Sequence, residues 1–329
     1  GQNSLVYGTE DDLRKGLSSI ETYAKPERVF ALNNCSVSLV GDDVQGIADQ
    51  MDLPWPVYAM DSGGMKGSFE AGYSAASLRI EKEMKTKEKI PASVNVLGLS
   101  TVHMKGREDA EEIRRLLSLC GIRVISMPGG GSNWEDIMDA PSASLNIVVR
   151  DELGLSLAKQ MEQDFGTSYM SCGFPYGTDG TVAWLSEIIE KLGAGELTRA
   201  SHEAAKLKEF LLRKGNNLES LWGPLWFDAV LISAPPSEAL GIAEAIRSEW
   251  IDTARLCIHA QCETEKSTPA ADAIRVVMKN EKEIAKDYED WQGGLVLSSS
   301  HETHLLRRMG RSFTGFHIAL PSHDEVHFS

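Results

Sequence analysis

Short apolar runs alternate with longer segments of helical periodicity along most of this chain. The apolar runs predict buried strands, at 29–32, 57–60, 94–99, 123–126, 145–149, 227–233, 254–259, 294–297 and 316–320. The segments between them predict helices, at 42–51, 69–85, 108–119, 153–165, 181–192, 203–213, 237–250, 268–278 and 301–309. Strands and helices that alternate at these lengths predict an α/β protein, with parallel sheets covered by helices on both faces.

The charged stretch 81–89, which ends at Pro91, indicates a boundary between domains. A second group of predicted helices, at 181–192 and 203–213, is typical of connectors between sheets. We therefore expect three Rossmann-like units, over 1–90, 91–215 and 216–329, of which the second carries the helical connectors.

Composition narrows the classes of function. Five cysteines in 329 residues do not make a disulfide framework, which favours a reducing cytoplasm. No apolar run reaches about 18 residues, the length that a membrane span needs, and the first part of the chain has no signal-peptide pattern. The net charge of -15 opposes nucleic-acid binding and favours a partner with a basic face.

The candidate metal ligand is Cys35. A predicted strand at 29–32 leads into a polar loop that holds Cys35, and Gly41-Asp42-Asp43 then begins a helix. Loops after parallel strands lie at the carboxyl edge of the sheet, where ligands bind, and helix N-termini favour anions such as thiolates. Cys35 could therefore bind a metal or cluster, or it could be a small buried core residue.

Two glycine-rich loops follow predicted strands. The segment 63–67 comes directly after the strand that ends at Met60, which places it at a carboxyl edge. The segment 128–132 could hold a phosphate through its N–H groups, but it lacks both the G-x-G-x-x-G spacing and a Walker A lysine. A plain loop is the stronger interpretation of 128–132.

Other chemical groups give weaker signals. Cys257 and His259 would share one face of a strand, but core filling explains them better than a metal site, which would need more ligands nearby. Cys172 falls on a loop that would face a pocket. The segment 301–304 does not fit the H-E-x-x-H zinc motif and indicates a polar helix start.

An ordered set of motifs resembles the nitrogenase component 1 type oxidoreductases. The pieces that carry the resemblance are Tyr7-Gly8, 26–29, the Cys35 loop with Gly41-Asp42-Asp43, 56–57, 64–67, 94–98, 113–121, 140–148, 161–166, 294–300, Glu302 and Gly310. No single piece is decisive, but their order is specific and spans most of the chain.

The resemblance implies a subunit that accepts electrons from an ATP-dependent iron–sulfur reductase and passes them through a cluster to a substrate. It implies Cys35 as a ligand of a 4Fe–4S cluster shared between subunits, and a homologous component 1-like subunit as partner, in a homo- or hetero-oligomer. It also implies cofactor-binding residues, namely Gly41, Asp42, Gly64, Lys66, Gly67 and Tyr73. A cluster-assembly scaffold without turnover and a Rossmann-type small-molecule binding protein are the alternatives.

Departures from the family pattern point away from dinitrogen reduction. The cluster cysteines expected upstream of Tyr7-Gly8 are not in this sequence, so the ligand set is incomplete. Ala158 stands where we place the family's cofactor cysteine, and Tyr73 where it has a histidine near the substrate. His323 and His327 do not align with the second cofactor ligand. We therefore expect another substrate, such as a tetrapyrrole-like molecule.

Overall fold

A computed structural model describes residues 10–33, 35, 41, 43–63, 67–222, 226–250, 252–260, 274–278 and 281–319. The chain divides into two compact units, residues 1–80 and 81–329. None of the described helices combines the length and the apolar character needed to cross a membrane.

The first unit is built on two parallel strands. Its elements in chain order are α1 (Glu10–Tyr23), β1 (Val29–Leu32), α2 (Val44–Asp49), β2 (Val57–Met60) and α3 (Phe69–Glu81), whose last residue begins the second unit. Three acidic residues in the first turn of α1 complement the helix dipole. Leu17, Ala48, Trp55 and Val57 form the small core that joins the two helices α1 and α2 to the strands.

The second unit contains two parallel sheets. Its helices are α4 (Gly106–Leu119), α5 (Trp134–Asp139), α6 (Asp151–Phe165), α7 (Thr178–Leu192), α8 (Thr198–Trp222), α9 (Pro236–Ala245), α10 (Glu281–Glu289) and α11 (Ser300–Arg308). Its strands are β3 (Ile90–Leu97), β4 (Arg123–Ser126), β5 (Ala143–Val148), β6 (Tyr169–Ser171), β7 (Trp226–Ala234), β8 (Asp252–Ala260), β9 (Ile274–Met278), β10 (Leu295–Ser298) and β11 (Thr314–His317).

The first of these sheets has the strand order β4-β3-β5-β6. Alternate residues of β3 face opposite sides, and Val94 and Val96 enter the core that Ile113 of α4 and Leu185 of α7 complete. On α6, Gly154 lies so close to β3 that an added Cβ would come within 2.8 Å of the backbone at the end of the strand. The four-stranded sheet is therefore covered on both faces.

The second sheet has the order β11-β10-β7-β8-β9 among the described strands. Val230 and Ile232 of β7 pack beneath α9. Leu231, between them, faces a core that contains Tyr288 of α10 and Leu306 of α11. Buried apolar side chains on both faces match the nearly continuous apolar runs of β7 and β8.

The predicted α/β class with helix-covered parallel sheets is confirmed. The helix predicted over 268–278 is wrong in its last part, because 274–278 is strand β9, which pairs with β8 at the edge of its sheet. The run Ile-Arg-Val-Val-Met is rich in β-branched residues, which favour strands. The division into three units at 1–90, 91–215 and 216–329 stays a prediction.

Candidate functional site at the β1–β2 edge

The loops that follow β1 and β2 begin side by side. The strands are parallel, with Leu32 in register with Met60, so both end at the same edge of the sheet. Beyond the strands, the Asn33 backbone N–H donates to the Met60 carbonyl at 3.1 Å. The Ser62 hydroxyl donates to the Asn33 carbonyl at 2.6 Å. These bonds hold the start of the Cys35 loop against the start of the glycine-rich loop.

Cys35 is exposed at this edge, which is inconsistent with the alternative of a buried core residue. Gly41 has φ +78°, a left-handed conformation that favours glycine. The Asp43 side chain then caps α2 by accepting a hydrogen bond from Gly46 N at 2.9 Å. Asp42 lies outside the described residues. The predicted loop-to-helix transition after Cys35 is thus built by Gly41 and Asp43.

The glycine-rich loop is only partly described. Gly64 and Lys66 lie outside the described residues. Gly67 is exposed, and an added Cβ would come within 2.8 Å of the Ala71 side chain, so a larger residue here would displace the start of α3. Tyr73 lies two residues beyond Ala71, is half-buried, and has its ring 6.3 Å from that of Phe69. The cofactor-binding role of these residues stays a prediction.

The Gln45 side chain hydrogen-bonds the backbone of β2 on the side that faces away from β1, a role that the sequence pattern did not indicate. Its side-chain Nε2 donates to the Val57 carbonyl at 2.9 Å, and its Oε1 accepts from Ala59 N at 2.9 Å. This amide occupies backbone groups that a further strand would otherwise use. A glutamine in the first turn of a helix has no distinctive spacing, so only the tertiary structure reveals this contact.

Large apolar side chains are exposed on β1 and at the start of α3. Leu32 is 67% exposed, Phe69 47% and Phe30 38%. Such groups are individually common on protein surfaces. Their positions on β1 and at the start of α3, next in sequence to the two loops, make this region suitable for contact with another protein.

Arg150 and other groups in the second unit

Arg150 lies at the carboxyl end of β5, at the residue before α6. Its guanidinium forms a buried ion pair with Glu238 and lies 4.6 Å from the centre of the Phe174 ring. A lone arginine after an apolar strand is a weak sequence signal, and the pattern did not identify Arg150 as a site residue.

Burial raises the pKa values of two acidic groups near Arg150. Burial raises the pKa of Asp109 to about 6, although the Arg150 charge opposes this rise. Burial also raises the pKa of Glu152, against a hydrogen bond from Ser237. Arg150 is therefore the positive centre of an acidic cluster that holds protons more readily than exposed carboxylates do.

Cys172 follows β6 at the same edge of the sheet. Burial raises the pKa of its thiol to about 12, so the thiol is protonated at neutral pH. Metals and clusters bind the thiolate. The chemistry of Cys172 therefore favours a structural role over a ligand role.

Ala158 lies in the middle of α6 and is fully buried. The helix begins at the sheet edge, at Arg150 and Asp151, and Ala158 lies several residues further along the helix. The assignment of Ala158 as the family's cofactor position stays a prediction.

The loop 128–132 uses its polar groups internally. Ser132 Oγ accepts from Met127 N at 2.8 Å, and the Gly129 carbonyl accepts from Thr101 N at 2.9 Å. The Asn133 side chain caps the short helix α5 by accepting from Asp136 N at 2.8 Å. These contacts favour the plain-loop interpretation.

A cavity of about 1040 Å³ lies among α4, α7, α8 and the residues that follow α9. Glu249 on its wall accepts hydrogen bonds from the first turn of α7, with Oε2 receiving Thr178 N at 2.8 Å and Oε1 receiving Gly180 N at 3.0 Å. Backbone N–H groups at the start of α7 therefore already donate to a carboxylate of the same unit. Leu207 and Leu211 of α8 supply apolar wall on the other side.

The polar helix start predicted at 301–304 is present as α11. Ser299 and Glu302 form a reciprocal capping box, and His301 and His304 are exposed. His317 Nε2 lies 3.0 Å from Thr303 Oγ1. His323 and His327 lie outside the described residues.

Comparison with known proteins places these features in a family. The family model described as "Nitrogenase component 1 type Oxidoreductase" matches residues 1–329. The nitrogenase iron-molybdenum cofactor biosynthesis protein NifE of Clostridium pasteurianum is 29% identical, over 67% of this chain and 46% of its own length. One of the subunits of the light-independent protochlorophyllide reductase of Chloroherpeton thalassium is 24% identical, over 68% of this chain and 42% of its own length.

The solved structures give the same fold. One described as nitrogenase Cp1 at pH 5 superposes with a TM-score of 0.75 at 19% identity, over 98% of this chain and 72% of that one. The chain spans less than half the length of the two curated relatives named above. Because the family model matches residues 1–329 of this chain, the chain belongs to the nitrogenase component 1 type oxidoreductase family.

Proposed function

We propose that this protein is a subunit of a nitrogenase-like oxidoreductase that receives electrons from an ATP-dependent iron–sulfur reductase and reduces a substrate other than dinitrogen. The observation that carries the proposal is the exposed Cys35 at the common edge of β1 and β2, beside the glycine-rich loop. A tetrapyrrole-like substrate is favoured because a relative is named as part of a light-independent protochlorophyllide reductase.

Cys35 fits one position of a shared 4Fe–4S cluster. A four-iron cluster needs about four protein ligands, so a single cysteine requires others from a homologous subunit or from outside this sequence. Burial raises the pKa values of the Cys120 and Cys172 thiols, which makes both poor thiolate donors. When bound, the cluster would supply one-electron transfer between the reductase and the substrate.

A partner subunit would have an apolar surface to contact beside Cys35. Leu32 is exposed on β1, from which the Cys35 loop starts, and Phe69 is exposed at the start of α3, the helix that follows the glycine-rich loop. Further cysteines, from a homologous subunit or from outside this sequence, would then complete the ligand set across the interface. The acidic net charge suits association with a partner that carries a basic face.

The test is anaerobic reconstitution of the full-length protein, alone and with its candidate homologous subunit. Iron and sulfide per chain are measured for the parent, Cys35→Ala and the control Cys120→Ala, followed by turnover with reductase, ATP and protochlorophyllide. We expect Cys35→Ala to lose most of its iron and all turnover, while Cys120→Ala retains iron. Equal iron in both variants would refute the role of Cys35.

A cluster-assembly scaffold is the second candidate, because another relative is named as a cofactor biosynthesis protein. A scaffold would bind iron through Cys35 and would transfer it to an acceptor protein without reductase-dependent turnover. Iron bound at Cys35 with no product formed from any offered substrate would therefore favour the scaffold over the oxidoreductase.

A further inference from the structure

A sulfur, a nitrogen and an oxygen atom lie close together between β8 of the five-stranded sheet and α10. Cys257 and His259, two residues apart on β8, point to the same face, and Asp287 of α10 lies opposite them. Cys257 Sγ lies 3.5 Å from His259 Nε2 and 3.4 Å from Asp287 Oδ2, and the last two atoms are 3.0 Å apart. The sequence, which favoured core filling, gave no sign of the third group.

These distances are close to those around a tetrahedral metal ion. Bonds of about 2.3 Å to sulfur and about 2.0–2.2 Å to nitrogen and oxygen separate neighbouring ligand atoms by about 3.3–3.6 Å. The two distances from Cys257 Sγ match this range. On metal binding, the distance between His259 Nε2 and Asp287 Oδ2 would lengthen by a few tenths of an ångström.

The geometry disfavours a nucleophilic Cys–His–Asp triad. A triad uses both ring nitrogens of histidine, one toward the nucleophile and one toward the carboxylate. Here Cys257 Sγ and Asp287 Oδ2 both lie near the same Nε2 of His259. His259 is fully buried and Cys257 only 5% exposed, which leaves little access for a substrate. Three donor atoms that lie within 4.8 Å of one another could instead hold a metal ion.

We propose that Cys257, His259 and Asp287 bind a divalent metal ion, with Zn²⁺ the best match to a mixed sulfur, nitrogen and oxygen donor set. A thiolate, a carboxylate and a neutral imidazole carry two negative charges, which the ion would balance in this buried position. Asp287, whose side chain is 12% exposed, marks the solvent side, where water would occupy the fourth position.

The ion would clamp α10 onto β8. Tyr288, next to Asp287, packs in the same core as Cys257, and its ring lies 5.4 Å from that of His259. Metal binding to a site that exists only in the folded chain stabilises the fold. The site is separate from Cys35, which lies in the other compact unit.

The test uses tag-free full-length protein, stripped with a chelator and titrated with Zn²⁺ and with Co²⁺. We expect about one Zn²⁺ per chain, a higher melting temperature with Zn²⁺, and a thiolate-to-cobalt charge-transfer band. Cys257→Ser and Asp287→Asn, which preserve side-chain size, should each weaken Zn²⁺ binding at least about tenfold, and Cys257→Ser should abolish the band.

Matched controls are Cys172→Ser, a half-buried cysteine outside the cluster, and Asp290→Asn, an exposed aspartate just beyond α10. Both should bind Zn²⁺ as the parent does. Less than stoichiometric zinc in the parent would overturn the proposal, as would unchanged zinc affinity in folded Cys257→Ser and Asp287→Asn proteins. Circular dichroism establishes that each variant is folded.

Discussion

Glu238 Oε1 accepts two hydrogen bonds from the Arg150 guanidinium, from Nε at 3.0 Å and from Nη2 at 2.6 Å. The two side chains are only 3% and 8% exposed. Arg150 lies at the end of a strand in the four-stranded sheet, and Glu238 lies on α9, which packs on the five-stranded sheet. This ion pair therefore connects the two sheets of the second unit.

Removal of the arginine should be more damaging than removal of its partner. Arg150→Met leaves Glu238 uncompensated and also removes the positive charge that faces Asp109 and Glu152. We expect a loss of about 3–5 kcal/mol in the free energy of unfolding of this unit, and a smaller loss for Glu238→Gln. Urea denaturation, monitored by tryptophan fluorescence, measures the free energy of unfolding of both variants.

The control for this prediction is Arg115→Met. Arg115 pairs with Glu112 and Glu203 on the surface, where an ion pair contributes less than about 1 kcal/mol. If Arg150→Met were no more destabilising than Arg115→Met, the ion pair would not hold the two sheets together.

The sequence predicted strands and helices well where one periodicity extended over a whole element. The apolar run of β7 and the helical spacing of α4 are examples. The prediction failed at 274–278. A helix predicted from the preceding residues was extended into a run of β-branched residues that forms the edge strand β9. Pairing with β8, a tertiary effect, determines the conformation there.

The contribution of Glu81 to the stability of the folded protein should fall as the pH rises toward neutrality. Burial, together with a hydrogen bond and repulsion from Asp164, raises the pKa of Glu81 to about 7, from an ordinary value of 4.5. The folded chain therefore holds this proton more tightly than the unfolded chain between these pH values. Its contribution to stability is present below pH 4.5 and is lost as the pH rises through about 7.

Glu81→Gln replaces the carboxyl by a neutral group of the same shape. We expect its melting temperature to equal that of the parent near pH 4.5 and to exceed it at about pH 8. Glu88→Gln, at an exposed position a few residues away, should follow the parent at every pH. Parallel curves for the parent and Glu81→Gln would show that the unfolding equilibrium does not depend on this proton.

The Cys35 edge should lie close to a subunit interface. Leu32, 67% exposed on β1, would be buried by a homologous subunit that completes the ligand set. We expect Leu32→Glu to weaken self-association, or association with the homologous subunit, by at least about tenfold, since a charge would be desolvated. Sedimentation velocity over a range of concentrations measures the effect.

Val102→Glu is the matched control, because Val102 is 61% exposed in the other compact unit. It should associate as the parent does. A parent protein that is monomeric at every concentration, with and without its candidate partner, would contradict the prediction of an interface.

Individual site residues were harder to predict from sequence than the fold. Cys35 was identifiable because a strand, a polar loop and a helix start surround it within a few residues. Asp287 could not be connected with Cys257, because the contact joins β8 to a helix about thirty residues further along the chain. Arg150 was overlooked for a similar reason, since its partner Glu238 comes from a distant helix.

The nitrogenase molybdenum-iron cofactor should not bind to this protein. The resemblance implies a thiolate at one end of that cofactor, an imidazole at the other and a histidine near the substrate. Ala158, where we place that thiolate, offers no ligand atom. Arg150, at the sheet edge, has no lone pair for a metal and is already paired with Glu238. The resemblance also places Tyr73 where the family has that histidine, and a phenol is a poorer proton shuttle than imidazole near neutral pH.

We therefore expect the protein, incubated with isolated cofactor and a competent reductase, to retain little molybdenum and to reduce no acetylene. Ala158→Cys should behave like the parent, because Ala158 is fully buried in the middle of α6 and a thiol there would not reach the sheet edge. Metal analysis after gel filtration and gas chromatography provide the two measurements. Stoichiometric molybdenum with acetylene reduction in the parent would mean that Ala158 is not the cofactor position, and would restore dinitrogen as a candidate substrate.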